Sequence, residues 1–376
     1  MSGNLQEKLR HFDPDLPLAQ AQTIPSSWYF DPDIYAAECR TVFGATWQAV
    51  GRTDQVAEPG SFFTADLAGE PILVVRDEQG VLRAFSNVCR HRAARVMPQA
   101  EGRATRLRCR YHGWTYDLAG RLRGTPEFDG VADFRRDEQG LAPLAVATWG
   151  SLVWVHLGGL QIDQAQLQTS LEEYLAPLSQ QTTGAGLEKL RFVKRSEYRL
   201  ACNWKVFVDN FLDGGYHVNT VHPGLADVLD YSQYRTEIHG NTSVQISPLR
   251  SADSQPDVGK VRTGDTAYYW WVFPNFMMNL YQDVMDTNLV LPLGPDSCRV
   301  IFDYYFAQTE GPEAERFIAD SIAVAHQVQL EDAGICEEVQ HGLASRSFHT
   351  GRFSVRREAA GYHFHRLLAQ RLRAVT

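Results

Sequence analysis

Two short clusters carry the first chemistry in the chain: Cys89-Arg-His91 and Cys109-Arg-Tyr-His112, a thiol and an imidazole in each, seventeen residues apart. A zinc site can use two cysteines and two histidines, but its usual spacing puts the cysteines in one cluster and the histidines in the other. Mixed pairs on two loops suit a [2Fe–2S] cluster in which one iron takes both thiolates and the other both imidazoles. The neutral ligands raise the potential and make the cluster a one-electron relay. The competing readings are a structural zinc knuckle, or core cysteines and histidines with no metal. Two correct short spacings on turn-like segments argue against both. Gly113, beside His112, lets backbone N–H groups approach the sulfurs and tune the potential.

A second constellation runs from Asn203 to Pro223 and contains Asp209, Asn210, Asp213, His217 and His222. Histidines five apart are turned by about 140° on a regular helix, so their rings converge only if the helix is distorted or ends. Gly214, Gly215 and Pro223 supply such breaks. Two histidines and one carboxylate with open positions form the facial triad of non-haem Fe(II) oxygenases, and the carboxylate must come from elsewhere. Glu331-Asp332, in a helical stretch, is the best candidate pair. Alone, such a histidine pair is more often structural. Beside a one-electron relay it becomes the acceptor that the relay needs, able to bind and activate O₂.

The elements that must position these residues can be read around them. With 376 residues and 44% hydrophobic content, the chain is long enough for two or three domains with ordinary cores. Its net charge of -9 disfavours nucleic acid. Residues 83 to 116 nevertheless hold eight arginines against one acid, Glu101. That belt could raise the cluster potential and attract an acidic electron-transfer partner, although solvated surface charge accounts for at least half of it. Six cysteines are too few for a disulfide scaffold. The first twenty residues mix both charges with two prolines and lack a long apolar run. No signal peptide, no membrane span and a cytoplasmic location are therefore expected.

β-rich stretches at Thr46 to Val50, Pro71 to Arg76, Leu82 to Asn87 and Ser151 to Val155 are separated by turn signals such as Asp117-Leu-Ala-Gly120. Residues 40–157 thus read as a small all-β domain after an N-terminal segment, 1–39. Helical patterns are expected in Gln161 to Leu178, in Trp204 to Leu212, where Val206, Phe207, Asn210 and Phe211 share a face, and in a long helix from Pro312 to His341. Several antiparallel strands are expected from Ala267 to Phe306. The second domain, 158–376, is therefore a sheet with helices, and the fold class is α+β.

Both metal motifs, in order and spacing, resemble the catalytic α subunit of the Rieske non-haem iron oxygenases, also called aromatic-ring-hydroxylating oxygenases, over roughly residues 28 to 370. Within that family the chain most resembles choline monooxygenases, through Trp204-Lys-Val-Phe-Val-Asp-Asn-Phe-Leu-Asp-Gly-Gly-Tyr-His217, Pro274-Asn-Phe-Met-Met-Asn279 and Met285-Asp-Thr-Asn-Leu-Val-Leu-Pro-Leu-Gly294. The resemblance implies an N-terminal all-β Rieske [2Fe–2S] domain and a helix-grip-like catalytic domain. It makes Cys89, His91, Cys109 and His112 the cluster ligands, His217, His222 and Asp332 the iron ligands, and Asn210 a neighbour of the iron. In ring dioxygenases an aspartate three residues before the first iron histidine bridges the metal sites across subunits. Here that place is Gly214, which leaves Asp213, Asp209 or another residue for the role.

Residues 268 to 281 contain seven aromatics. Trp270, Trp271, Phe276 and Tyr281 are candidates for a cage that holds a quaternary ammonium by cation–π attraction, or for core rings that pack the sheet. Three functions compete. The leading one hydroxylates a carbon next to a quaternary or tertiary amine nitrogen, as in choline oxidation or betaine N-demethylation. The others are oxidation of an aromatic ring or its substituent, and a Rieske electron carrier without catalysis. With no Gly-rich dinucleotide loop, NAD(P)H is expected to act only through a separate ferredoxin or flavin/iron–sulfur reductase. The family favours a homotrimer.

Overall fold

The computed structural model describes residues 2–159, 162–226, 228–250 and 261–374. Gln161, where the first helical stretch was expected to begin, lies outside them. The chain forms two compact units, residues 43–174 and the combination of 2–42 with 175–374. Residues 158–174, expected with the second domain, group with the β unit, and the N-terminal segment belongs to the C-terminal unit. Among the described residues no helix is long and apolar enough to cross a membrane.

In the unit spanning 43–174, short runs rich in β-branched and aromatic residues build a seven-stranded antiparallel sheet. From one edge to the other it runs Trp47–Arg52, Leu152–His156, Pro143–Trp149, Leu82–Ser86, Glu70–Arg76, Ser61–Leu67 and Glu101–Arg103. Leu107–Arg108, Thr115–Tyr116 and Leu122–Gly124 form a small second sheet. The core includes Phe62, Leu73, Phe85, Trp114 and Tyr116 together with both motif cysteines.

The expected turn at Asp117 and the turn at Asp77 share one construction. Asp77 and Asp117 each accept two backbone N–H groups through Oδ1 and pair with Arg83, or with Arg121 and Arg123, through Oδ2.

In the other unit, seven antiparallel strands run in the order Arg191–Leu200, Ser297–Phe306, Val284–Gly294, Phe276–Leu280, Thr266–Val272, Thr242–Pro248 and Arg235–His239. The long helix is Pro312–Leu343, with proline in its first turn as expected. It packs on Trp204–Phe211, as does the C-terminal helix Ala359–Arg373. A fully buried ion pair fixes the short helix: Lys205 Nζ lies 2.7 Å from Glu38 Oε1, and the Trp204 indole donates to Glu38 Oε2 at 2.8 Å. Glu38 sits on the N-terminal helix Pro32–Thr41, so this pair ties the N-terminal segment to the helix that carries Asp209 and Asn210.

Candidate metal centres

Cys89 and Cys109 open two copies of one turn. The Cys89 N–H donates to Ala94 O at 2.8 Å and the Cys109 N–H to Trp114 O at 2.9 Å. The N–H four residues on, from Ala93 or Gly113, returns to the cysteine carbonyl at 3.0 Å in each. Both of those residues have left-handed backbone, φ 58° and 73°. The loops bring all four expected ligands together: the thiols are buried, and the His91 and His112 rings lie 4.6 Å apart. His91 stacks on Trp114 at 4.9 Å, while its Nδ1 is buried with no hydrogen-bond partner. Tyr116 Oη lies 3.4 Å from Cys89 Sγ. Burial lowers the His91 pKa, aided by His112 and Arg92, so the ring is neutral. Burial pushes the Cys109 thiol up, a cost that a bound cation reverses. An orphaned buried imidazole nitrogen on the same pair of loops as two buried thiols fits a metal cluster. Arg90, Arg92, Arg108 and Arg110 are exposed around it.

The second centre depends on the helix breaks. Trp204–Phe211 ends, Gly214 and Gly215 follow with φ 71° and 70°, and Val218–Val221 forms a single short turn flanked by His217 and His222. A Cβ on Gly214 would meet the Arg357 carbonyl oxygen at 2.2 Å, so only glycine fits there. The two imidazoles converge, with Nε2 atoms 3.1 Å apart. Asp332 Oδ1 lies 3.1 Å from His222 Nε2 and 3.7 Å from His217 Nε2. It also accepts the Asn210 amide at 2.7 Å.

Each ring is held from behind. His217 Nδ1 faces Asp213 Oδ2 at 2.6 Å and His222 Nδ1 faces Glu331 Oε2 at 2.7 Å. Those carboxylates accept the Nδ1 protons, which leaves two Nε2 lone pairs and a carboxylate oxygen aimed at one point. Three acceptors so placed need a cation between them. Burial opposes protonation of His222, but Asp332 and Glu331 raise its pKa overall, and a metal ion replaces that proton. The donor set of two imidazoles and one carboxylate fits iron(II).

The other expected residues separate. Asp209 faces away from the triad: it accepts Tyr29 Oη at 2.6 Å and His365 Nε2 at 2.9 Å. The His365 ring in turn accepts the Ile24 N–H at 3.2 Å through Nδ1, so Asp209 anchors the N-terminal segment and the last helix. Phe207, Asn210 and Phe211 line the pocket over the triad, whereas Val206 lines a separate cavity that borders Asp209.

The pocket over the triad encloses about 810 Å³ of empty space, part of it open to solvent. Of the four cage candidates only Tyr281 lines it. Strand register explains the correction. Gln245, Tyr269, Asn279, Asp286 and Tyr304 are paired across five strands and share one face. Gln245, Tyr269, Asn279 and Asp286 of that row reach the pocket. Trp270 and Phe276 alternate to the opposite face. Trp271 lies on the pocket side but is covered by Phe364 and Phe273, with its indole N–H donated to Pro274 O at 3.2 Å.

Sequence reasoning missed Tyr234, Tyr269, Arg262 and Gln329, all in the lining. Alternation along Tyr268 to Val272 sets Tyr269 with Trp271 on one face and Tyr268 with Trp270 on the other, without choosing the face that meets the pocket. Nothing local marks Arg262 or Tyr234.

A Rieske-type cluster fold and a facial-triad iron site define a non-haem iron oxygenase. Residues 46–135 match the Rieske [2Fe–2S] domain, and residues 187–374 match the catalytic domain of the ring-hydroxylating α subunit. The chain is 41% identical over 374 residues to a chloroplastic choline monooxygenase of Arabidopsis thaliana, covering 98% of this chain and 87% of that one. It is 29% identical to the carnitine monooxygenase oxygenase subunit of Escherichia coli (strain K12), covering 93% and 94%. A solved quaternary ammonium Rieske monooxygenase superposes with a TM-score of 0.82 at 27% identity, covering 96% of each chain.

The chain belongs to the Rieske ring-hydroxylating oxygenase α-subunit family. Its cofactors are a [2Fe–2S] cluster and a mononuclear iron, and its co-substrate is O₂.

Proposed function

We propose that this oxygenase hydroxylates a carbon next to a quaternary or tertiary amine nitrogen, as in choline oxidation or N-demethylation of a betaine. The observation that carries the reading is the wall above the triad, where Tyr234, Tyr269 and Tyr281 follow one another with ring centroids 6.4 and 6.2 Å apart. Ring faces hold a methylated ammonium without needing a donor or acceptor from it. The relatives support the same class: solved structures similar to this chain hold L-carnitine or γ-butyrobetaine.

Cys89, His91, Cys109 and His112 are assigned to the cluster, and His217, His222 and Asp332 to the iron. When bound, the cluster relays single electrons and the iron activates O₂ with them. Asp213 and Glu331 hold the Nδ1 protons of His217 and His222, which fixes the tautomer and turns both Nε2 lone pairs toward the metal site. Asn210 steers Asp332 through its amide. Tyr234 is itself held by its hydroxyl, which donates to Gln245 Oε1 at 3.1 Å, so the ring is preset rather than recruited by substrate. Asp213, joined directly to His217, is the better candidate than Asp209 for the electron bridge to a neighbouring subunit's cluster.

Electrons come from a separate ferredoxin or flavin/iron–sulfur reductase that uses NAD(P)H, the working assembly is a homotrimer, and the location is cytoplasmic. Turnover of choline, betaines and aromatic acids with a generic reductase, read by product mass, tests the reading. Oxidation of an ammonium compound is expected, and oxidation of aromatic acids alone would replace it with the ring-oxidation reading.

A further inference from the structure

The ammonium reading leaves one residue of the pocket unexplained. Arg262 lies in the lining with its guanidinium 4.8 Å from the centre of the Tyr281 ring. Its Nε is buried without a hydrogen-bond partner, and among the described residues it makes no ion pair. Stacking on a ring offsets part of the cost of desolvating a guanidinium, but it satisfies none of its five N–H donors. The nearby acid does not complete it either. Asp286 Oδ1 already accepts the Asn279 amide at 2.9 Å and the Asn288 amide at 2.8 Å. Burial raises the Asp286 pKa, opposed by the attraction of Arg262 and by the Asn288 and Asn279 amides.

The position of Arg262 along the pocket matters as much as its charge. Tyr234 lies at the metal end, since its ring would meet a Cβ on Gly215 at 3.0 Å, two residues before His217. From there the tyrosines lead through Tyr269 to Tyr281 and then to Arg262. A fixed cation at the far end repels a ligand that carries only positive charge. It attracts one whose far end is an anion, and a planar guanidinium matches a carboxylate through two parallel hydrogen bonds.

We propose that Arg262 reads a carboxylate, and that the substrate is a zwitterion with its methylated ammonium between the tyrosines and the iron and its carboxylate at Arg262. This rests on the ammonium reading above and narrows it from choline-like alcohols to betaine-like acids.

The test is calorimetric binding to the iron-loaded enzyme, which does not depend on turnover. The probes are choline, trimethylammonium carboxylates with one to three methylenes between nitrogen and carboxylate, the primary amide of the best of these, and its isostere with carbon in place of nitrogen. The best carboxylate should bind about 10- to 100-fold tighter than its amide, as expected for charge-assisted hydrogen bonds. Arg262→Gln should bring that ratio to within about twofold, and Arg262→Lys should keep part of it because charge remains without the planar fork. An unaltered cluster spectrum and melting temperature show that the variants fold. Equal binding of carboxylate and amide by the native enzyme, or a ratio that survives in Arg262→Gln, overturns the assignment. If the carbon isostere binds as tightly as the ammonium compound, the ammonium reading fails while the arginine ratio still decides the anion site. Failure of every probe to bind overturns both.

Discussion

Glu331 and Asp332, neighbours in the chain, meet opposite ends of the same imidazole. Glu331 lies 2.7 Å from His222 Nδ1, and Asp332 lies 3.1 Å from its Nε2. One acid therefore orients the ring and the other shares its metal-facing side. Asp332→Ala is expected to abolish turnover and empty the mononuclear site while the cluster spectrum persists. Glu331→Ala should weaken iron binding by about 10–100-fold and recover with added iron(II). Iron titration of the two variants distinguishes the roles, and the reverse pattern would exchange them.

The cluster prediction is independent of the first. Cys89→Ser or Cys109→Ser should bleach the protein and remove acid-labile sulfide, since a hydroxyl ligates ferric iron poorly. The native chain should hold about three irons, two in the cluster and one mononuclear. Zinc without sulfide would sink the assignment.

Asp213 and Asp209 separate by what they touch. Asp213→Asn should leave both metals bound but slow re-oxidation of the reduced cluster by about 10–100-fold in a single-turnover experiment, because it perturbs the partner of His217. Asp209→Asn should act mainly on stability, lowering the melting temperature through loss of charge-assisted bonds from Tyr29 and His365 worth about 1.5–3 kcal/mol each. Rapid-mixing absorbance and thermal melts read the two effects.

The Glu38–Lys205 pair is buried on both sides, and burial drives both partners toward their neutral forms, raising the Glu38 pKa and lowering that of Lys205. Lys205→Met alone should destabilise by about 3–5 kcal/mol because the acid is left unpaired. Adding Glu38→Gln should recover much of that loss, since the amide oxygen can still accept the Trp204 indole. Denaturant midpoints would show whether the double variant is closer to native than the single one.

An acid-limb prediction follows from Asp77. Burial favours its neutral form, yet Arg83 and the Val81 and Gln79 N–H groups hold its pKa below the usual value. A depressed carboxylate contributes stability that is complete above its unfolded pKa of about 4 and is lost as pH falls through the folded value. Asp77→Asn should lower the melting temperature at pH 7 and flatten its decline below about pH 5. An unchanged slope would assign the decline to other groups.

The sequence by itself determined the ligand types of both centres, the β character around Cys89 and Cys109, the helix around Trp204 and the long helix that carries Asp332. All of these follow from short-range spacing, turn residues and periodicity. It also required a break between His217 and His222, because no regular helix turns residues five apart toward one point. The tertiary structure decided what spacing cannot carry. It chose Asp332 as the acid facing both Nε2 atoms, gave Asp213 to His217 and turned Asp209 toward Tyr29 and His365. It also exchanged the expected tryptophans for Tyr234 and Tyr269. An aromatic-rich strand is equally aromatic on both faces, and only its pairing register and the helix laid over it determine which rings meet a substrate.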